Sequence, residues 1–333
     1  MSLTRYKVLI IGCGNIAGGL DISRARHLPP LTHAGAYTQH GGFSLVGCVD
    51  PDVNQRRAFA RRWGVERHFS KLTDLDFPRG TIDVISICSP TASHYEHLVR
   101  ALDLHPRVIF CEKPLTTDVA TTLQLVKDCS ALGTVLIVNY SRRWDPSIAD
   151  VIDQLKRGEW GIVRSIVGHY NKGILNNGSH MIDLLLRLVG PLELVATTSP
   201  RFDFAESDPT VAALLTAANG SVPVYLNPAH ARDFSYFEIE IVCELGVLRM
   251  QSGGMFWQFR EVMQSPHFNR YRTVNKGNII GGRYMESMAL AIENIFRYLH
   301  SGVPPDHTTE GVVLIQELCA RIQSNARVSL NLR

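Results

Sequence analysis

The 333-residue sequence predicts an α/β protein in two parts. An N-terminal doubly wound parallel sheet fills residues 1–140, and a C-terminal α+β domain with a mostly antiparallel, open sheet fills residues 141–333. Three observations carry this reading. Apolar strand-like runs alternate with helical stretches up to about Tyr140, and a glycine-rich turn follows the first of those runs at once. From about Ser141 the texture changes to one helix and then short β-like runs separated by Gly, Pro, Asn and Asp. A chain of this length exceeds one ordinary core, which agrees with two domains.

The first strand is Lys7 to Ile11, and Gly12-Cys13-Gly14-Asn15-Ile16-Ala17 directly follows it in the pattern G-x-G-x-x-A. Gly12 permits a tight turn, Gly14 lets backbone approach a pyrophosphate with no Cβ in the way, and the small Ala17 allows a helix to pack closely on the strand. The second strand, Phe43 to Val49, ends in Asp50, an acid placed to hold the ribose hydroxyls of a dinucleotide. This favours a Rossmann domain that takes NAD rather than NADP. Arg56 and Arg57 lie just downstream, where they read as solvated charges on a helix rather than as a 2′-phosphate site.

Between the glycines and Asp50 the spacing exceeds the usual separation of about 20 residues. The excess falls in residues 19–30, a polar, proline-terminated stretch without helical pattern, and the helix resumes near Leu31-Thr32-His33-Ala34. We read it as an inserted loop beside the cofactor. Arg24, Arg26 and His27 there either contact phosphates of the cofactor or of a phosphorylated substrate, or are scattered surface charge.

Asp83 to Cys88 is the next buried strand, and Ser89-Pro90-Thr91 turns the chain into a helical stretch from Ala92 to Leu104. A further apolar run ends in Cys111-Glu112-Lys113-Pro114, after which Thr116 or Thr117 is expected to cap a helix running to Leu132. Val135 to Val138 closes the series. Right-handed crossovers place the loops after Ile11, Val49, Cys88 and Phe110 on one carboxyl edge, so the glycine turn, Asp50, Pro90-Thr91 and Lys113 are expected to share a crevice.

In the second part the expected strands are Ile162 to Tyr170, Leu192 to Thr198, Val211 to Ala217, Val222 to Leu226, Tyr236 to Cys243 and Val247 to Met250. Two helices, Tyr284 to Leu299 and Glu310 to Asn325, end the chain. Between the first two of these strands, polar groups from Asn171 to His180 gather at the start of an apolar helix, on which His180 and Asp183 lie one turn apart. An imidazole with an ordinary pKa of about 6.5 accepts a hydroxyl proton at neutral pH. A lysine ammonium stabilises the negative charge developing on a substrate oxygen. His180 is therefore read as the acid/base and Lys113 as the orienting electrostatic group, with the roles exchanged if burial and a neighbouring cation lower the lysine pKa.

Composition narrows the class. Hydrophobic residues make up 45% and charged residues 20%, with a net charge of +3, and no basic stripe or nucleic-acid motif is present. Nucleic acid is thus not an expected partner, and neither is the membrane, since no apolar run is long enough to span one. The opening residues lack signal-peptide character, so the expected location is the cytoplasm. The seven cysteines have no C-x-x-C spacing and read as buried reduced thiols, with no zinc or other metal site.

With these residues in view, the sequence resembles the glucose-fructose oxidoreductase, inositol dehydrogenase and rhizopine-catabolism (Gfo/Idh/MocA) family over essentially its whole length. The resemblance rests on Gly12-x-Gly14-x-x-Ala17, Asp50, Glu112-Lys113-Pro114, Arg142-Arg143-Trp144-Asp145-Pro146 and Gly178-Ser179-His180-Met181-Ile182-Asp183. It implies NAD(P)-dependent oxidation or reduction of a sugar or cyclitol hydroxyl, with the nicotinamide between the two domains. The cofactor contacts then expected are Gly12, Gly14, Asn15, Ile16 and Asp50, then Ser89, Pro90, Thr91 and His94, and finally Glu112 and Lys113. Substrate contacts are expected from Lys113, Arg142, Tyr170, Asn176, Asn177 and His180, with Lys113, His180 and Asn176 as the catalytic set.

Four residues before the histidine the family's polyol dehydrogenases usually carry aspartate, where this chain has Asn176. An amide hydrogen-bonds a hydroxyl but takes no proton. Asparagine there resembles the branch acting on nucleotide-linked sugars. The alternatives are a non-catalytic NAD-binding sensor, or a glycosidase that borrows NAD for transient oxidation. The open second-domain sheet and the resemblance together imply a homodimer or homotetramer.

Overall fold

The computed structural model describes residues 5–25, 27–217, 220–309 and 311–331. Arg26, read above as either a phosphate contact or surface charge, and the expected helix start at Glu310 lie outside the described residues. The chain divides into two compact units, one made of residues 1–144 and 285–313, the other of residues 145–284 and 314–333. Relative to a single cut after residue 140, the segment from 285 to 313 belongs with the first unit.

In the first unit the elements run β1 (Tyr6–Ile11), α1 (His33–His40), β2 (Phe43–Val49), α2 (Val53–Trp63), β3 (His68–Phe69), β4 (Val84–Ile87), α3 (His94–Leu102), β5 (Val108–Glu112), α4 (Val119–Ala131) and β6 (Val135–Asn139). The strands form one parallel sheet in the order β3-β2-β1-β4-β5-β6. Val8 to Ile10 and Val108 to Cys111 are fully buried, as continuous apolar runs must be when both faces of a parallel sheet are covered. The core joins Val8, Ile10, Tyr37, Val84 and Phe110 to Ala291, Ile292, Ile295 and Leu299. Those last four lie on a helix near the chain's end, which explains why that segment belongs to this unit.

Capping follows ordinary chemistry. Thr32 accepts from Gly35 N at the start of α1, and Asp52 accepts from Asn54 N and Gln55 N at the start of α2. On α4 the cap is Asp118, which accepts from Thr121 N at 2.8 Å, in place of the expected Thr116 or Thr117. The Thr116 hydroxyl is instead 2.7 Å from both the Asp118 carbonyl and the Thr122 hydroxyl.

The inserted segment leaves and re-enters one helix. After β1, the Gly14 carbonyl accepts from Gly18 N and Gly19 N, which closes a single turn. The chain then departs, and on its return His33 N donates to the Ile16 carbonyl at 3.2 Å and Ala34 N to the Ala17 carbonyl at 2.8 Å. The α1 ladder is thus continued by residues far downstream. Asp21 pins the junction, accepting from Leu31 N, Thr32 N and the Thr32 hydroxyl. The expected inserted loop therefore takes the form of an excursion from the helix, anchored by a short 3-10 turn at Gly19–Asp21.

The second unit contains α5 (Pro146–Lys156), β7 (Val163–Tyr170), α6 (Ser179–Val189), β8 (Glu193–Thr197), β9 (Arg201–Ala205), β10 (Asp208–Thr210), β11 (Ala213–Ala217), β12 (Val222–Pro228), β13 (Glu238–Cys243), β14 (Gly246–Gln251), β15 (Phe256–Gln264), β16 (Arg272–Val274) and β17 (Asn278–Gly281). Two helices follow, α7 (Ser287–Ser301), which belongs to the first unit, and α8 (Val312–Asn331).

The main sheet has the order β16-β15-β14-β13-β7-β12-β11-β8, with β17 beside β15, and it is antiparallel except between β7 and β12. β9 and β10 pair separately. The strands after Met250 were not expected from sequence, although Phe256 to Phe259 alternates large and polar side chains. Ile166, Val224, Ile241 and Leu248 are fully buried on one face of the sheet. The other face carries a cross-strand row, Leu214, Tyr225, Val167, Glu240 and Arg249, of which Tyr225 is 44% exposed.

All seven cysteines are buried and unbridged. Burial pushes the Cys129 thiol up to about 12 and that of Cys243 up to about 11. Among the described residues, no helix is long and apolar enough to cross a membrane.

Candidate active site

In the first unit the glycine turn is built as a dinucleotide cradle. Gly12 has φ +89°, and a Cβ there would fall 2.6 Å from the Ser89 amide nitrogen, so only glycine lets the loops after β1 and β4 meet. Above Gly14 a Cβ would find nothing within 4 Å, leaving the turn open to a ligand. The carbonyls of Gly14, Asn15, Ile16 and Ala17 all accept helical bonds, whereas the amides of Asn15 and Ile16 have no acceptor among the described residues. Such first-turn amides suit an anion.

Asp50 is buried, with Oδ2 accepting from Cys13 N at 2.8 Å and Oδ1 from Asp52 N at 2.9 Å. It therefore ties the end of β2 to the glycine turn. The Arg56 guanidinium donates to the Asp50 carbonyl, so it is a structural tether rather than a solvated charge, while Arg57 is exposed. These residues fit a bound NAD: open backbone at Gly14, unpaired amides beside it, and a carboxylate at the end of β2.

The loops after β4 and β5 are joined by one side chain. His94, buried at the start of α3, places Nε2 2.9 Å from the Ser89 carbonyl and Nδ1 2.9 Å from the Pro114 carbonyl. The Lys113-Pro114 peptide bond is cis. His94 thus holds Ser89, Pro90 and Thr91 beside the backbone that presents Lys113. The Ser89 hydroxyl in turn meets His97 Nδ1 at 2.8 Å.

Glu112 looks inward. Its Oε1 accepts from Asn139 Nδ2 at 2.7 Å and pairs with His33 Nε2 at 3.0 Å, while His33 Nδ1 lies 3.2 Å from the Ser86 hydroxyl. Burial raises the Glu112 pKa, but the hydrogen bond and charge of His33, the Asn139 amide and the Lys113 charge outweigh it and hold the carboxyl below its ordinary value. Glu112 Oε1 is thus engaged by His33 and Asn139 at the end of the strand that presents Lys113. Lys113 itself is half-buried at the end of β5. Arg142 is buried in a short turn, Ser141–Trp144.

In the second unit, a wide helical turn, Gly173–Gly178, runs straight into α6. Lys172 enters it in the left-handed region, with φ 62°, and at Gly173 a Cβ would overlap the Asp208 carboxylate. Asp208 accepts from Leu175 N at 2.8 Å and from Asn176 N at 2.9 Å, which fixes the turn that carries Asn176 and Asn177. Both asparagines are half-buried, and His180 and Asp183 are buried on α6. Ser179 donates to the Asn176 carbonyl at 3.0 Å, binding the turn to the helix.

Tyr170 departs from expectation. Its side chain is fully buried, and its hydroxyl donates to the Val211 carbonyl at 2.7 Å while accepting from Val211 N at 3.0 Å. Both hydrogen-bonding capacities are spent on backbone, so Tyr170 is a core strut and offers nothing to a substrate. Sequence reading also missed His33, Asn139 and Asp208. The first two act on a residue far along the chain and carry no local signal. Among the described residues, no cluster of three His, Cys, Asp or Glu side chains is placed to hold a metal ion.

Comparison with known proteins agrees with this architecture. Residues 6–140 match the oxidoreductase family with an NAD-binding Rossmann fold designated GFO_IDH_MocA. Residues 6–140 thus carry the NAD-binding domain of the Gfo/Idh/MocA oxidoreductases. It is 23% identical over 214 residues to D-glucoside 3-dehydrogenase of Escherichia coli strain K12, covering 57% of this chain and 56% of that one. It is 29% identical over 173 residues to inositol 2-dehydrogenase of Rhodococcus jostii strain RHA1, covering 50% and 46%. The chain spans about half the length of these curated relatives. Among solved structures, the WlbA dehydrogenase from Bordetella pertussis, in complex with NADH and UDP-GlcNAcA, superposes with a TM-score of 0.77. At 19% identity over 98% of this chain and 97% of that one, this likeness speaks for the fold.

Proposed function

We propose that the protein is an NAD-dependent oxidoreductase that interconverts a secondary hydroxyl and a ketone on a sugar, and that the sugar is nucleotide-linked. One observation carries the reading: the loop that presents Lys113 is clamped through His94 to the loop that meets the glycine turn, so a lysine is held at the edge where a dinucleotide fits. When bound, NAD supplies the hydride acceptor. Gly14, the Asn15 and Ile16 amides and Asp50 hold it, and the buried carboxylate at Asp50 selects against a 2′-phosphate by charge.

The Lys113 ammonium donates to the substrate oxygen and stabilises its negative charge. His180 takes the hydroxyl proton in oxidation and returns it in reduction. Asn176, on the turn fixed by Asp208, orients a sugar hydroxyl without titrating. Arg142 and Asn177 are the further substrate contacts on this reading. The nucleotide-linked class is favoured by asparagine at position 176 and by the fold-level likeness to a dehydrogenase solved with UDP-GlcNAcA.

The test is nicotinamide absorbance after mixing the purified protein with NAD or NADH and a panel of cyclitols, free sugars, nucleotide-linked sugars and their keto forms. A signal confined to nucleotide-linked sugars and lost in Lys113→Ala is expected. A signal with cyclitols alone rejects the substrate class. Silence across the panel with tight NAD binding favours the sensor reading, and substrate loss without net NADH favours the glycosidase.

A further inference from the structure

The inserted segment forms one side of a half-open cleft apart from the dinucleotide site. Arg24, Leu28 and Pro30 of the insert face Thr38 on α1 and Arg62 and Trp63 at the end of α2 around a volume of about 490 Å³. Pockets of about 300–1,000 Å³ take small metabolites. Neither Gly14, Asp50 nor Lys113 lines it.

Its chemistry is uneven. Leu28, Pro30 and the Trp63 indole supply apolar wall. Two guanidinium groups face one carboxylate, Asp21, whose oxygens already accept from Leu31 N, Thr32 N and the Thr32 hydroxyl. Arg24 Nε donates to the Pro29 carbonyl at 2.9 Å and lies 3.9 Å from Asp21 Oδ1, while its terminal nitrogens bond nothing among the described residues. Arg62 lies 4.7 Å from the Trp63 ring centroid, makes one long bond of 3.4 Å to the Asp21 carbonyl, and has a buried Nε without an acceptor among the described residues. A buried guanidinium Nε without an acceptor, as in Arg62, is costly, and an anion held by Arg62 and by the partly exposed Arg24 compensates it.

We propose that this cleft binds a small amphiphilic anion, a molecule with a ring or short aliphatic body that lies against Trp63, Leu28 and Pro30 and an acidic group held by Arg24 and Arg62. The site requires the insert, because Arg24, Leu28 and Pro30 all come from it. It is independent of the substrate assignment and of Lys113.

The probe is 1-anilinonaphthalene-8-sulfonate, whose sulfonate and fused rings match both halves of the cleft. Fluorescence titration of the full chain is expected to show a saturable component that persists in excess NAD. Arg62→Ala is expected to weaken it about tenfold or more. Thr38→Trp fills the cleft from an exposed position on α1 and is expected to abolish it. Circular dichroism establishes that both variants are folded. Titrations of wild type and both folded variants that superimpose overturn the proposal, as does loss of the component on adding NAD, which would assign it to the dinucleotide site.

Discussion

His33 N donates to the Ile16 carbonyl at 3.2 Å, in the register of a helix whose intervening residues have been looped out. The adjoining bond from Ala34 N to the Ala17 carbonyl, at 2.8 Å, repeats that register. If Leu31 and Thr32 alone joined Ala17 to His33, both bonds would be ordinary i to i−4 bonds.

Deleting Gly18 through Pro30 is therefore expected to yield a folded protein with one continuous helix from the glycine turn to His40. Far-ultraviolet circular dichroism should retain or gain helical signal, and NAD affinity should stay within about threefold, since a factor of three is under 1 kcal/mol. Aggregation or loss of NAD binding would show that the excursion is integral to the cradle.

Lys113 and His180 are expected to separate binding from turnover. Lys113→Ala should lower kcat by about 10²–10³ with NAD affinity nearly unchanged. His180→Gln should lower kcat by about 10²–10⁴ and remove the basic ionisation from the pH profile. Steady-state kinetics on whichever sugar gives the nicotinamide signal, with NAD titrated by fluorescence, provides both readouts.

Glu112 gives a pH prediction with a definite sign. Its carboxyl lies below the ordinary 4.5 in the folded state because His33, Asn139 and Lys113 outweigh burial, so the unfolded chain binds that proton more tightly. Its stabilisation is fully present above about 4.5 and is lost as pH falls through the folded-state value. Glu112→Gln should cost about 1.5–3 kcal/mol at neutral pH and less in acid. Urea midpoints measured from neutral to acid pH check this, and parallel curves for the two proteins would contradict it.

Tyr170 distinguishes a strut from a substrate contact. Tyr170→Phe leaves the Val211 carbonyl and amide without their buried partner and should cost about 1–3 kcal/mol. KM should not change. A raised KM at unchanged stability would return Tyr170 to the substrate site.

The second unit's open sheet face suggests self-association as the means of covering it. Leu214 and Tyr225 pair side by side on that face, and light scattering is expected to give a multiple of 37.1 kDa. Replacing both with glutamate should reduce the mass to that of one chain without unfolding it. A wild-type mass of 37.1 kDa at working concentration rejects the assembly.

Much of the first unit was legible because its information is local. Runs such as Val84–Ile87 and Val108–Cys111 can only be strands buried on both faces, and the G-x-G-x-x-A turn with Asp50 states its own geometry. What escaped was set by distant partners. His33 reaches Glu112 across 79 residues, and Asp208 captures the amides of Leu175 and Asn176 from a separate short strand. The helix Ser287–Ser301 shows its apolar face in sequence but not which core will receive it, and that core proved to be the first unit's. Tyr170 was misjudged because a tyrosine at a strand end looks the same whether its hydroxyl faces a ligand or a backbone.

The burial of every native thiol has a practical side. With Cys129 and Cys243 pushed up to about 12 and 11, and Cys88 and Cys111 well above the ordinary value, these four offer almost no thiolate at neutral pH, and burial shields all seven thiols from an electrophile. A single cysteine placed at exposed Thr38 would therefore take a maleimide dye selectively in the native protein. The wild-type sequence is therefore expected to serve as a silent background for site-directed labelling, with no cysteine removed first.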